Sequence, residues 1–144
     1  RAIEVFAAKG AEGVHGTTVS AFTSLSLEPS MVLVCLAHAS RVLPLIRESG
    51  MFTVSVLGAE QKDVAMGLSK SARAIGEGMD GLHHDGPETG CPVMKDCLSY
   101  FECTLREEII GGDHAILLGH VEGAGRGGAT EPLLYFNREF RRLA

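Results

Sequence analysis

The sequence predicts a mostly β domain in which antiparallel strands fold into a barrel and only two short helices interrupt them. Three observations carry that expectation. Runs rich in β-branched and aromatic residues follow one another at hairpin distances. Turn residues punctuate them, with 18 glycines in 144 residues. Apolar spacing of helical period occurs in only two short stretches, so the alternation of strands with long helices that marks a doubly wound sheet is missing.

Taken in order, Ile3-Glu4-Val5-Phe6-Ala7 alternates as a strand does, and Lys9-Gly10-Ala11-Glu12-Gly13 supplies the turn of a hairpin. The next β-rich run, His15 to Leu27, stops at Glu28-Pro29, where proline removes a ladder donor. Met31 to Ala37 is continuously apolar and reads as a strand buried on both faces. Ser40 stands where a helix N-cap would, followed by an apolar stripe of Val42, Leu43, Leu45 and Ile46 and a terminating Gly50. Phe52 to Leu57 is a strand, Gln61 to Ser69 a second helix, and Lys70 to Thr89, rich in glycine, a long surface excursion. Cys97 to Arg106, His114 to Glu122 and Leu133 to Phe136 complete about seven strands.

The length and a hydrophobic content of 45% allow one domain, residues 1–144, to bury a core without metal or disulfides. A net charge of -5 and the lack of any Lys/Arg-rich run exclude nucleic acid and an anionic membrane surface as main partners. Cys35, Cys91, Cys97 and Cys103 form no C-x-x-C pair and read as reduced core thiols of a cytoplasmic protein. No apolar stretch reaches membrane-spanning length, and Arg1-Ala2-Ile3-Glu4 has no signal-peptide layout.

Gly123-Ala124-Gly125-Arg126-Gly127-Gly128 satisfies G-x-G-x-x-G after a strand, but Pro132 arrives where a helix should open, so it reads as a flexible hairpin loop. No phosphate-binding G-x-x-x-x-G-K-[ST], no G-x-S-x-G and no H-E-x-x-H is present. His83-His84-Asp85 with Cys91 matches no usual ligand spacing, and no metal site is expected.

The informative stretch runs from Gly16 to Pro29, Gly-Thr-Thr-Val-Ser-Ala-Phe-Thr-Ser-Leu-Ser-Leu-Glu-Pro. It reads either as an ordinary polar strand face or as a surface where small side chains let a planar ligand reach backbone N–H and C=O groups. Together with Leu33-Val34-Cys35-Leu36, Ser40-Arg41, Phe52 to Leu57, Gly112-Asp113-His114 and Pro132 to Phe136, it resembles the flavin reductase-like family of FMN-binding split barrels. That family includes reductase components of two-component monooxygenases.

The resemblance implies a homodimer that binds FMN or FAD and transfers hydride to it from NADH or NADPH, supplying a partner monooxygenase. It implies that Val19, Ser20, Ala21, Phe22, Thr23, Ser24 and Ser26 face the flavin ring and ribityl chain, with Ala37 and His38 beside them. Ser40 and Arg41 would hold the flavin phosphate, for which a helix start and a charged fork are suited. Ser55 and Lys70 are further flavin contacts, Phe140 a stacking ring, and His114 the residue that positions the nicotinamide.

The chain departs from the family's pattern in three places. Arg73-Ala74-Ile75-Gly76-Glu77-Gly78-Met79 replaces an Asp-Arg-Phe-like element, Phe140 stands where many members have tyrosine, and the N-terminal helix does not precede Arg1. Two other readings stand beside the reductase: a split-barrel flavoprotein that keeps its FMN and acts on another substrate, and a non-catalytic flavin- or haem-binding module, with His15, His38 and His120 as conceivable haem ligands.

Overall fold

The computed structural model describes residues 1–70 and 72–143. Strand β1 (Glu4–Gly10) and β2 (Gly13–Val19) form the expected hairpin, with Glu4 opposite Val19 and Gly10 opposite Gly13. The run expected as one stretch from His15 to Leu27 breaks at Ser20-Ala21. Beyond the break, β3 (Phe22–Leu27) pairs with β4 (Ser30–Ala37) and not with β1 or β2.

Strand β5 (Met51–Val56) joins β1 to β8 (Ser99–Gly111), and β9 (His114–Arg126) joins β8 to β4. The resulting antiparallel sheet has the order β2-β1-β5-β8-β9-β4-β3. Its two edges, β2 and β3, are consecutive in the chain and separated by two residues. Three peptide links span at most about 11 Å, so the sheet must curl until its edges meet. Among the described residues no ladder joins them, and the barrel is split along that seam. Mostly antiparallel β structure with two short helices is what the sequence led us to expect.

Helix α1 (Val42–Ser49) plugs the barrel with the anticipated stripe, all four apolar residues buried. Gly50 ends it in the left-handed conformation (φ 72°), its N–H bonded to Ile46 O at 2.7 Å. The N-cap position belongs to Arg41, without a side-chain capping bond, and not to Ser40 as expected. The main core gathers Phe6 and Ala8 of β1, Val32, Val34 and Leu36 of β4, the α1 stripe, Phe52, Val54 and Leu117. A second core lies on the other side of β1: Ile3, Val5 and Ala7 pack against α2 (Lys62–Leu68), Leu57, Met79, Met94 and Leu133.

The strands buried on both faces are β1 and, from Phe52 to Ser55, β5, and the reading of β4 in that role is corrected. On β4, Val32, Val34 and Leu36 are buried, whereas Met31, Leu33 and Cys35 between them are half-exposed on the outside of the sheet. Cys35 is consequently no core thiol, although Cys91, Cys97 and Cys103 are buried and all four are free.

Two segments read as loops are more ordered than their composition suggested. The 70–89 stretch buries Met79 and Arg73 completely or nearly so, and its end forms β6 (His83–Asp85), paired with β7 (Pro92–Met94). The glycine-rich 123–128 stretch continues β9 as far as Arg126, opposite Ser99 to Glu102. A Cβ on Gly125 would sit 2.6 Å from the Tyr100 ring, and one on Gly127 2.0 Å from Cys97 O, so glycine here serves close packing. A small hairpin of β10 (Leu134–Phe136) and β11 (Glu139–Arg141) closes the chain.

Candidate functional site

Where the two barrel edges part, a cleft of about 350 Å³ opens, within the size range of small-ligand sites. One wall is strand-built: Thr17 to Ala21 from β2 and the crossing, and Cys35 to Ala37 from the end of β4. Ser20 lies outside both ladders, so its backbone groups are not consumed by the sheet. Ser40 and Arg41, entering α1, form one end, and Ser69, Lys70 and Arg73, leaving α2, form the opposing wall. His114, the first residue of β9, stands at the rim.

Charge in the cleft runs against that of the whole chain. The protein carries -5, yet Arg41, Lys70 and Arg73 line the cavity, and none of its described lining residues is Asp or Glu. Such a cavity favours an anion. At its anionic-ligand end the Ser40 hydroxyl is buried without a hydrogen-bond partner, an arrangement that costs about 1–3 kcal/mol unless a ligand completes it. The residues present thus fit a phosphate group.

His114 Nδ1 lies 2.7 Å from the Asp113 carboxylate, to which an Nδ1–H donates; this orients the ring and leaves Nε2 of the neutral imidazole as an acceptor. The same contact holds the Asp113 carboxyl below its ordinary range. His38, the first residue beyond β4, has its Nε2 3.2 Å from Gly112 O and does not line the cleft.

Of the residues singled out in the sequence, the cleft brings together Val19, Ser20, Ala21, Ala37, Ser40, Arg41, Lys70 and His114. Phe22, Thr23 and Ser24 lie around the corner in an adjoining groove that shares Ser20, where the Phe22 ring also meets Phe6 and Phe101. Phe140 lines another groove that shares Val19 and Ser20, stacked edge-on with Tyr135 at 5.1 Å. Ser26 borders none of these cavities. Ser55 is buried away from the cleft, and its hydroxyl accepts the Met94 N–H at 3.0 Å, which gives it a packing role.

Arg73 and His15 line the cleft although neither was expected to contact flavin. Arg73 is only 4% exposed and donates to four backbone carbonyls, Gly16, Leu68, Lys70 and Glu77, at 2.6–2.9 Å. It thereby fastens the 69–77 wall to β2. His15 is 2% exposed, and its Nδ1 accepts the Gly76 N–H at 3.1 Å. Burial, aided by Arg73 and Arg41, pushes its pKa down to about 4. The other two histidines raised as haem ligands stand elsewhere, His38 at Gly112 and His120 at Glu122, 2.9 Å away.

Comparison with known proteins agrees with this geometry. The family model for the flavin reductase like domain matches residues 1–144. The chain belongs to that family. It is 35% identical over 144 residues to the reductase component of 4-hydroxyphenylacetate 3-monooxygenase from Thermus thermophilus, covering 98% of this chain and 87% of that protein. A probable flavin reductase of Rhizobium meliloti is 35% identical over 83% of this chain, which spans only 40% of that longer protein. Among solved structures, the NADH:FAD oxidoreductase of Streptomyces globisporus superposes with a TM-score of 0.91 at 32% identity, covering 99% of this chain and 86% of that one. The flavin reductase-like member of the family described above has no helix long and apolar enough to cross a membrane among its described residues.

Proposed function

We propose that this protein is an NAD(P)H-dependent flavin reductase that binds FMN or FAD in the split-seam cleft. The observation that carries the proposal is the acid-free, cationic cavity with a buried Ser40 hydroxyl awaiting a partner. With flavin and nicotinamide both bound, the two cofactors themselves supply the chemistry, a hydride passing from the nicotinamide to the flavin while solvent furnishes a proton.

The chain supplies placement. Arg41 and Lys70 offer charge and the Ser40 hydroxyl a hydrogen bond to the flavin phosphate. The small side chains of Thr17, Ser20 and Ala21 admit a planar ring close to the strand backbone. His114, its ring held by Asp113, directs Nε2 as an acceptor for the carboxamide N–H of the nicotinamide and so positions it. The lack of any acid–base dyad in the cleft accords with a reaction whose barrier is lowered by orientation.

We further propose a cytoplasmic homodimer that delivers reduced flavin to a partner monooxygenase. Its thiols are free, and the edge strand β3, paired only with β4 among the described residues, bears Leu25 and Leu27, the latter 88% exposed. Ile110 at the β8 end and Phe136 of the C-terminal hairpin are also exposed, and apolar surface of this kind is commonly covered by a second subunit. The Thermus relative is named as the reductase component of a monooxygenase.

The test is anaerobic bleaching of oxidised-flavin absorbance, with NADH or NADPH and added FMN or FAD. Saturable bleaching that requires the protein is expected. In the same assay His114→Ala should raise the KM for the nicotinamide about three- to ten-fold, the worth of one hydrogen bond, with that for flavin unchanged. No bleaching with any pair of cofactors would refute the reductase.

A further inference from the structure

The cleft contains a polar group with no role in the scheme above. His15 is buried to 98% of its surface, yet its imidazole forms part of the cavity wall. Gly76 N–H points at Nδ1. A nitrogen that accepts a hydrogen bond carries no proton, so the ring is neutral and its proton sits on Nε2. His15 is therefore a fixed donor whose tautomer is set by the backbone of the opposing wall.

Its position along β2 says what it meets. His15, Thr17 and Val19 project from the same face of the strand, because alternate residues do. The ring end of the cleft is marked by Ser20 and Ala21, about 16 Å further along at the usual strand rise. At the His15 end stand the cations, and the guanidiniums of Arg73 and Arg41 both act on the imidazole electrostatically. A neutral donor is what such a place tolerates, since a third positive charge beside two arginines would be repelled, while Nε2–H still contributes a hydrogen bond to an anion.

We propose that His15 is a phosphate-recognition residue, donating Nε2–H to a phosphate oxygen of the flavin from the cleft floor while Arg41 and Lys70 engage it from the rim. This inference rests on the flavin-binding reading. It assigns the donor to the flavin phosphate and not to the pyrophosphate of the nicotinamide dinucleotide, because His15 shares the cleft with Ser40 and with Arg41, whose charge acts on its ring, and these are the residues given above to the flavin phosphate.

Two substitutions separate the two sides of the ring. In His15→Asn the amide oxygen replaces Nδ1 toward Gly76 and the distal donor is lost. In His15→Gln the amide nitrogen reaches the Nε2 position, so the donor is kept and the loop contact is lost. Binding of FMN and of riboflavin, which has no phosphate, is measured by fluorescence titration for each protein, together with the KM for NADH.

The expected result is that His15→Asn weakens FMN about ten-fold or more, as loss of a hydrogen bond to a charged group does. Riboflavin affinity should be unchanged, and His15→Gln should stay close to the parent protein for both ligands. Equal losses for FMN and riboflavin, equal losses in the two variants, or no loss in His15→Asn would each overturn the proposal. A raised KM for NADH with FMN affinity intact would move the donor to the dinucleotide and overturn the assignment made here. A parent protein that binds neither flavin refutes the flavin reading itself, and this inference with it.

Discussion

The two long walls of the cleft are built on opposite principles. The strand wall, Thr17 to Ala21 with Cys35 to Ala37, is held by ladders: β2 bonds to β1 along seven residue pairs, and β4 bonds to β3 and β9. The 69–77 wall has no ladder, and its described fastenings converge on one guanidinium and one imidazole. Redundant bonding makes the first wall tolerant of single changes, whereas convergence makes the second depend on Arg73. The two arginines of the cleft differ in the same way. Arg73 is buried and occupied by protein carbonyls, while Arg41 is exposed and free for a ligand.

The sharpest way to break the comparison is Arg73→Ala. Truncation strands buried carbonyl groups and opens a cavity, so unfolding experiments in urea should show a loss of about 3 kcal/mol or more, with flavin binding weakened as the wall loosens. An unfolding midpoint equal to that of the parent would show that the wall is held by other means. Arg41→Ala should do the reverse. Its thermal midpoint should not change, yet FMN affinity should fall about ten- to one-hundred-fold, the worth of a charge-assisted phosphate contact.

The smallest expected effect concerns two buried titratable groups flanking the seam. Burial pushes Glu4 up to about 8, against the pull of Arg1 and the N-terminal amine, and pushes His15 down to about 4. The stabilisation tied to protonated Glu4 is fully present below its ordinary value of 4.5 and is lost as pH rises through about 8. That tied to neutral His15 is present above 6.5 and is lost as pH falls through about 4. The two slopes oppose each other below pH 6.5, which leaves Glu4 to act alone between pH 6.5 and 8. Glu4→Gln should therefore flatten the decline of the urea midpoint across that interval. A decline as steep as in the parent protein would remove Glu4 from the account.

Much of this architecture was legible because the signals were local. The turn at Ala11-Glu12, the α1 stripe and its Gly50 stop, and the Gly112-Asp113 turn between β8 and β9 each depend on a few adjacent residues. Ser40, Arg41 and His114 were singled out through a family resemblance, and the structure brings all three to one cavity. Glu107 to Gly111 was missed as strand because its side chains face outward and carry no apolar alternation that a core would impose. Arg73 was illegible for a different reason. With Glu77 four residues on, it reads as a solvated pair, and only the tertiary approach of β2 buries it. His15 likewise looks like any polar residue opening a strand until Gly76 arrives from 61 positions away. Ser55 misled in the opposite direction, since a hydroxyl on a strand fits a ligand or a neighbouring hairpin equally well, and here β7 takes it.

Strand β1 contributes Phe6 and Ala8 to one apolar interior and Val5 and Ala7, with Ile3 just before it, to the other. Neither interior can come apart without stripping a face of the strand on which the other is assembled, so there is no seam along which half of the molecule could persist. Such a chain should melt in one step, and a cut within residues 4–10 should abolish both halves together, because cooperativity here is a property of one shared strand.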